Sequence, residues 1–161
     1  MLIDNIKEFK KKTHEKKILC LDCGKKKVGL AISDENHKIA TPMKTIIRNK
    51  DFHKNLKIVI NDFEIGGVLV GIPIRENKKI NKTSQSILDI TKNLDFYLFD
   101  NNIELPIFFW DENNTSIEAE DLTYNFFKNK KKQKKSLDKF AAKVILDDFL
   151  NFNSISNEKE D

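Results

Sequence analysis

Apolar and polar residues alternate along this chain in short runs that read as sheet and helix. Lys17–Asp22 and Val28–Ser33 are two apolar runs joined by a short basic loop, the pattern of a β-hairpin. Ile39–Ile47 reads as a third strand, and Pro42 places it at a sheet edge. Asp51 is placed to cap a helix from Phe52 to Phe63, with Leu56, Val59, Ile60 and Phe63 on one face. Gly67-Val68-Leu69-Val70-Gly71 is wholly apolar, as in a strand covered on both faces. A polar loop after Pro73 leads into a helical pattern from Thr83 to Asn101, through Ile87, Ile90, Leu94 and Leu98. Ile107–Trp110 reads as a further buried strand that ends at Asp111-Glu112. Thr115-x-x-Glu118 matches a capping box before a helix to Phe127. After the lysine loop Lys128–Lys135, Ser136 can cap a last helix to Phe149. Ile3–Lys12 is readable either as a short helix or as a disordered basic leader. The expected division is a leader over 1–16, one domain over 17–150 and a polar tail over 151–161. The order β-β-β-α-β-α-β-α-α predicts an α/β fold, a mixed central sheet with helices on both faces.

Composition narrows the classes. The 161 residues fit one domain with a real core, and 39% are hydrophobic, which argues against a disordered chain. No apolar run approaches the roughly 20 residues of a membrane helix, and Met1–Lys17 lacks a signal-peptide core. A cytoplasmic protein without a membrane partner is expected. Cys20 and Cys23 form a lone C-x-x-C; without a second pair of ligands they read as reduced structural thiols rather than a zinc site. The net charge of +4 suits a polyanion partner without demanding one. Only Arg48 and Arg75 are arginine, so the positive charge is nearly all lysine, the poorer bidentate phosphate ligand.

Three places put acids at the ends of core elements. Asp22 closes the first strand, Asp111 and Glu112 close the last, and Asp138 opens the last helix. Asp138 shares a helical stripe with Ala141, Ala142, Ile145 and Phe149, so it points with the core side chains. The helix dipole explains an acid in a first turn but not its inward direction. Such a set suits a hard cation such as Mg²⁺, which takes oxygen ligands. Structural acids scattered over turns and caps fit the same positions.

The motifs around these acids resemble the YqgF family, also called RuvX, the Holliday-junction-resolvase-like proteins of the ribonuclease H-like fold. Asp22-Cys23-Gly24, the basic loop Lys25-Lys26-Lys27 and Val28-Gly29-Leu30-Ala31-Ile32-Ser33-Asp34 stand where the family has D-x-G and G-x-A-x-S-D. Ala40-Thr41-Pro42, Val70-Gly71-Ile72-Pro73, Asp111-Glu112-Asn113-Asn114-Thr115 with Ala119-Glu120, and Asp138-Lys139-Phe140-Ala141-Ala142 follow in the family's order. The chain departs from the pattern in three places. Asn113 replaces the arginine after D-E, Lys27 replaces the commoner arginine before V-G, and the loop after Pro73 lacks the usual glycine turn.

The resemblance implies a metal-dependent nuclease on structured nucleic acid, either RNA in 5′-end maturation of pre-16S rRNA or branched DNA at a Holliday junction. It implies one or two Mg²⁺ ions, or Mn²⁺, held by Asp22, Glu112 and Asp138, with Asp111 as the alternative to Glu112 where strand register is uncertain by one residue. Lys25, Lys26 and Lys27 beside Asp22, and Lys130, Lys131, Lys132 and Lys134, are the expected phosphate contacts; solvated charged loops are the plainer reading of both groups. Monomer and homodimer are both compatible. Two other classes are a catalytically weak nucleic-acid-binding protein and an ATP-using relative of the actin and sugar-kinase group, for which five glycines leave little phosphate-loop material.

Overall fold

In the computed structural model, which describes residues 1–74, 80–112 and 140–152, the predicted hairpin lies within a six-stranded sheet. Its two strands are β2 (Lys17–Cys23) and β3 (Lys27–Ser33), paired antiparallel. The turn between them is tight. A Cβ on Gly24 would lie 2.8 Å from the Lys27 carbonyl oxygen, which accepts the Gly24 N–H at 2.9 Å. Glycine therefore lets the chain reverse there. The third strand, β4 (Ala40–Ile47), pairs with β3 at the sheet edge, with Pro42 opposite Ala31. An edge tolerates a residue without an N–H donor.

On the other side of β2 the sheet is parallel. β5 (Ile65–Ile72) pairs with β2, β6 (Ile107–Asp111) pairs with β5, and β1 (Leu2–Ile3) completes the order β1-β6-β5-β2-β3-β4. Every residue of β5 is buried, as its unbroken apolar run requires. β6 is less covered than predicted: Ile107 is buried, whereas Phe108, Phe109 and Trp110 are half-buried.

Alternation along β2 sorts the core between the two faces. Leu19 and Leu21 pack with Val68 and Val70 under α2 (Phe52–Asp62) and α3 (Lys82–Asp100). Ile18 and Cys20 pack with Leu69 on the opposite face, against Phe9, Ala142, Ile145, Leu146 and Phe149. The last four belong to the helix that runs through 140–152. Helices thus cover both faces, as expected. Asn81 caps α3 by accepting from the Ser84 N–H at 2.8 Å. Asp51 occupies the cap position of α2 but makes no side-chain cap bond. Its φ of −95° and ψ of 4° depart from the extended conformation that aims a capping side chain at the helix.

The first residues are helix and sheet rather than leader. Leu2 and Ile3 pair with Ile107 and Phe108. Asn5 then caps α1 (Ile6–Lys12) through the N–H groups of Lys7 and Glu8. Phe9 is fully buried, with its ring stacked 5.4 Å from Phe108 and edge-on at 5.8 Å to Phe149. The capping box at Thr115, the helix to Phe127, the lysine loop, Ser136, Asp138 and the tail from 153 lie outside the described residues. No helix among the described residues is long and apolar enough to cross a membrane.

Asp34 has a structural task at the β3–β4 turn. Its Oδ1 accepts the N–H groups of Lys38 at 2.7 Å and Ile39 at 2.9 Å. Slight burial pushes its pKa up, but these N–H groups outweigh it and hold the carboxyl below the usual range. A depressed pKa means a contribution to stability that is present above the ordinary aspartate value and lost as pH falls through the lowered one. Asp34→Ala is expected to cost about 1 kcal/mol near neutrality, a typical net value for such bonds. The difference should shrink in strong acid, as compared by urea unfolding of both proteins at the two pH values.

Candidate active site

Parallel pairing makes β2, β5 and β6 end at one edge of the sheet. Leu21 is level with Val70, Gly71 with Trp110, and Ile72 with Asp111. The next residues, Asp22 on one side and Glu112 on the other, therefore flank the end of β5. Crevices beyond the carboxyl ends of parallel strands are where open α/β sheets bind ligands. Asp22 has the parity of Cys20 and Gly71 that of Leu69, so both are on the face packed by the 140–152 helix.

The middle strand has no side chain at this level. A Cβ on Gly71 would lie 2.7 Å from Glu112 Oε2 and 2.7 Å from Ile145 Cδ1. The missing methyl is the space through which Glu112 reaches across β5 and the helix closes from above. Glu112 is half-buried and anchored by its N–H, which donates to the Ile72 carbonyl at 3.1 Å. Burial pushes its pKa up, the nearby charge of Asp111 adds to that, and a hydrogen bond with Asp22 works the other way. Two carboxyl groups in hydrogen-bond contact need either a shared proton or a cation between them. Asp111 is exposed, and its Oδ1 accepts the Ile74 N–H at 3.4 Å. Of the two adjacent acids, Glu112 is thus the one that meets Asp22.

Among the described residues, no three His, Cys, Asp or Glu side chains form a group that could hold a metal ion. Asp138 and Lys130, Lys131, Lys132 and Lys134 lie outside the described residues. The Asp22–Glu112 pair nevertheless has the donor chemistry a hard cation takes: carboxylate oxygens converging from two strands. Cys20 and Cys23 are free and buried on opposite faces. Burial pushes the Cys23 thiol up to about 12; Asp22 adds, Arg48 opposes and Glu112 adds. Cys20 is likewise pushed well up, by burial first and by Asp22, Cys23 and Glu112 after it. Both thiols therefore stay protonated near neutral pH, whereas nucleophile or ligand chemistry needs the thiolate.

Lys25, Lys26 and Lys27 are exposed on the turn that follows Asp22. Arg48 supports this turn from outside. Its N–H donates to the Lys26 carbonyl at 2.8 Å, its Nη1 to the Gly24 carbonyl at 2.8 Å, and its Nη2 to Ser86 Oγ at 3.2 Å. In the sequence Arg48 stands out only as a rare arginine, since it belongs to no motif. Its one signal was its place just after β4, the strand paired with the hairpin.

A model of the RuvX family, described as Holliday junction resolvase, matches residues 16–152. A protein of Pelagibacter ubique (strain HTCC1062) is 36% identical over 152 residues, covering 91% of this chain and 97% of its own. A protein of Mycoplasma mobile is 37% identical over 147 residues, covering 89% and 96%. Both are named as candidate pre-16S rRNA nucleases. The solved structure of T. thermophilus RuvC in complex with Holliday junction substrate aligns with a TM-score of 0.50 at 11% identity. It covers 81% of this chain and 91% of that one. At that identity the likeness concerns the fold alone, and it agrees with the ribonuclease H-like architecture expected from the motifs.

Proposed function

The chain belongs to the RuvX family of Holliday junction resolvases, and from that premise we propose that it is a divalent-metal-dependent nuclease acting on structured RNA at the 5′ end of pre-16S rRNA. The observation that carries the proposal is the meeting of Asp22 and Glu112 over Gly71, at the edge where three parallel strands end. RNA is favoured over branched DNA because relatives covered over nearly their whole length are named for pre-16S rRNA.

In this reading Asp22, Glu112 and Asp138 hold Mg²⁺ or Mn²⁺. These side chains would hold the ion, whose chemistry there would be activation of a water and stabilisation of the phosphodiester's leaving oxygen. The protein's own part is to hold these carboxylates in place before substrate arrives. Asp22 is fixed by its position in the β2–β3 ladder, opposite Gly29. Glu112 is fixed by its backbone bond to β5 and by the pocket over Gly71. Burial and the charge of Asp111 disfavour its ionised form, a cost that a cation between the carboxylates would offset. Lys25, Lys26 and Lys27, with Lys130, Lys131, Lys132 and Lys134, contact flanking phosphates, which positions the substrate without reading its sequence.

The test is a cleavage panel with purified protein: a pre-16S 5′ fragment, a four-way DNA junction and single strands, each with Mg²⁺, with Mn²⁺ and with chelator. Cleavage of the RNA fragment that stops with chelator is expected. Preference for the junction would move the substrate to DNA. Binding without cleavage across the panel would favour the catalytically weak binding protein.

A further inference from the structure

Arg48 lines a second feature beside the acid edge. An open cleft of about 450 Å³ runs along the first turns of α3, lined by Arg48, Lys82, Gln85, Ser86, Asp89, Asn93 and the apolar Ile90. Its α3 wall lies on the sheet face opposite the one that carries Asp22 and Gly71, and the two faces meet at the turn after Asp22. Arg48 reaches Gly24, two residues from Asp22, so the Cα atoms of Asp22 and Gly24 are at most about 7 Å apart. α3 follows β5 in the chain, and Ser84 Oγ donates to the Pro73 carbonyl at 2.8 Å, just beyond the end of β5. One wall of the cleft is thus tied to the turn after Asp22, and the other to the chain after Gly71.

The lining has the chemistry of a backbone-binding groove. Arg48 is a planar fork with five N–H donors, of which Nη1 and Nη2 each give one to the bonds with Gly24 and Ser86. These bonds hold the guanidinium in one orientation while donors remain for a ligand. Such a fork matches the geometry of a phosphate better than a lysine does. Lys82 is exposed at the start of α3 and adds a second positive charge. Gln85 and Asn93 offer amides of the kind that bond to phosphate and sugar oxygens. Asp89 opposes this charge; its Oδ1 accepts the Gln85 amide at 2.9 Å. The cleft is open along its length, which suits a strand passing through more than an enclosed small molecule.

We propose that the cleft between Arg48 and the first turns of α3 binds the sugar–phosphate backbone of the substrate strand where it continues past the turn after Asp22, with Arg48 gripping a phosphate beyond the scissile one. This rests on the nuclease reading and adds to it the path of the strand, around the turn after Asp22 and onto the α3 face of the sheet.

The experiment measures binding of the full chain to the pre-16S 5′ fragment in chelator, by fluorescence anisotropy over a series of salt concentrations. Arg48→Met should weaken binding roughly tenfold, since a charge-assisted fork is lost. It should also lower the slope of log affinity against log salt by about one contact's worth, 0.7 to 0.9. Lys82→Glu should lower the slope similarly without touching the turn, which covers the case in which Arg48→Met shifts Lys25–Lys27. Asp89→Asn should tighten binding by removing the opposing charge. Wild-type affinity and slope in both Arg48→Met and Lys82→Glu, with the parent protein still binding and cleaving, would overturn the groove and leave the nuclease reading standing. A parent protein that neither binds nor cleaves RNA or junction DNA would overturn both.

Discussion

An Asp22→Asn protein should lose metal-dependent cleavage by at least about a hundredfold while unfolding at nearly the parent temperature. Loss of a group that only orients a metal ligand already costs on that scale. Asparagine keeps the shape of the side chain and one oxygen, and removes the charge that a hard cation requires. The structure gives the fold little reason to suffer. Asp22 sits at the end of β2, half-exposed, and contributes no apolar surface to either core. Its contact with Glu112 is a hydrogen bond, which the asparagine amide can also make, so the metal-free fold loses little. The unfolding temperature should hold, as read by calorimetry. Cleavage assays and melts on the same preparations separate the alternatives. A turn aspartate replaced by asparagine, an equally good turn residue, would retain activity.

Gly71→Ala should have the second largest effect, and it should damage the site more than the fold. The added methyl meets Glu112 Oε2 and Ile145 Cδ1, each at 2.7 Å. Both atoms are ends of flexible side chains, so the sheet can stay intact while they move. The cost to stability is that of modest overpacking, about 1–3 kcal/mol. The cost to cleavage is larger in proportion, because the displaced group is the one that meets Asp22, and a shift near 1 Å can lower a rate about a hundredfold. Adding Ile145→Val to Gly71→Ala removes one of the two clashes. The double variant should regain stability and remain impaired in cleavage. If instead activity returned with stability, Gly71 would be a packing residue and the space for Glu112 would be incidental.

How far the site was legible follows from which signals are local. The hairpin, β5 and α3 show their period or their unbroken apolar run within one element, and their limits came within a residue or two. β1 has two residues and exists only because β6, more than a hundred residues away, offers it an edge. α1 buries Phe9 alone among lysines, which leaves almost no helical stripe to read. Asp22 and the pair Asp111-Glu112 were visible as acids at strand ends. The preference for Glu112 over Asp111 came from the family resemblance alone, because its physical cause, the residue after β6 turning toward β5 while Asp111 meets the Ile74 N–H, is not local to the sequence. Arg48 carries no motif, and its meaning comes from the turn and the helix it bridges. The helical stripe of Ala142, Ile145 and Phe149 is buried as read, and Ile145 is the residue that closes on Gly71.

In the proposed reading Asp22, Glu112 and Asp138 together hold a divalent cation, and Asp111 does not. Titration of Mn²⁺ into the full chain, followed by its electron spin resonance signal, addresses each carboxylate separately and needs no substrate. Asp22→Asn, Glu112→Gln and Asp138→Asn should each weaken Mn²⁺ binding by at least about tenfold, while Asp111→Asn should bind nearly as the parent does. Parent-like binding in Asp138→Asn or Glu112→Gln, or loss of binding in Asp111→Asn alone, would contradict it.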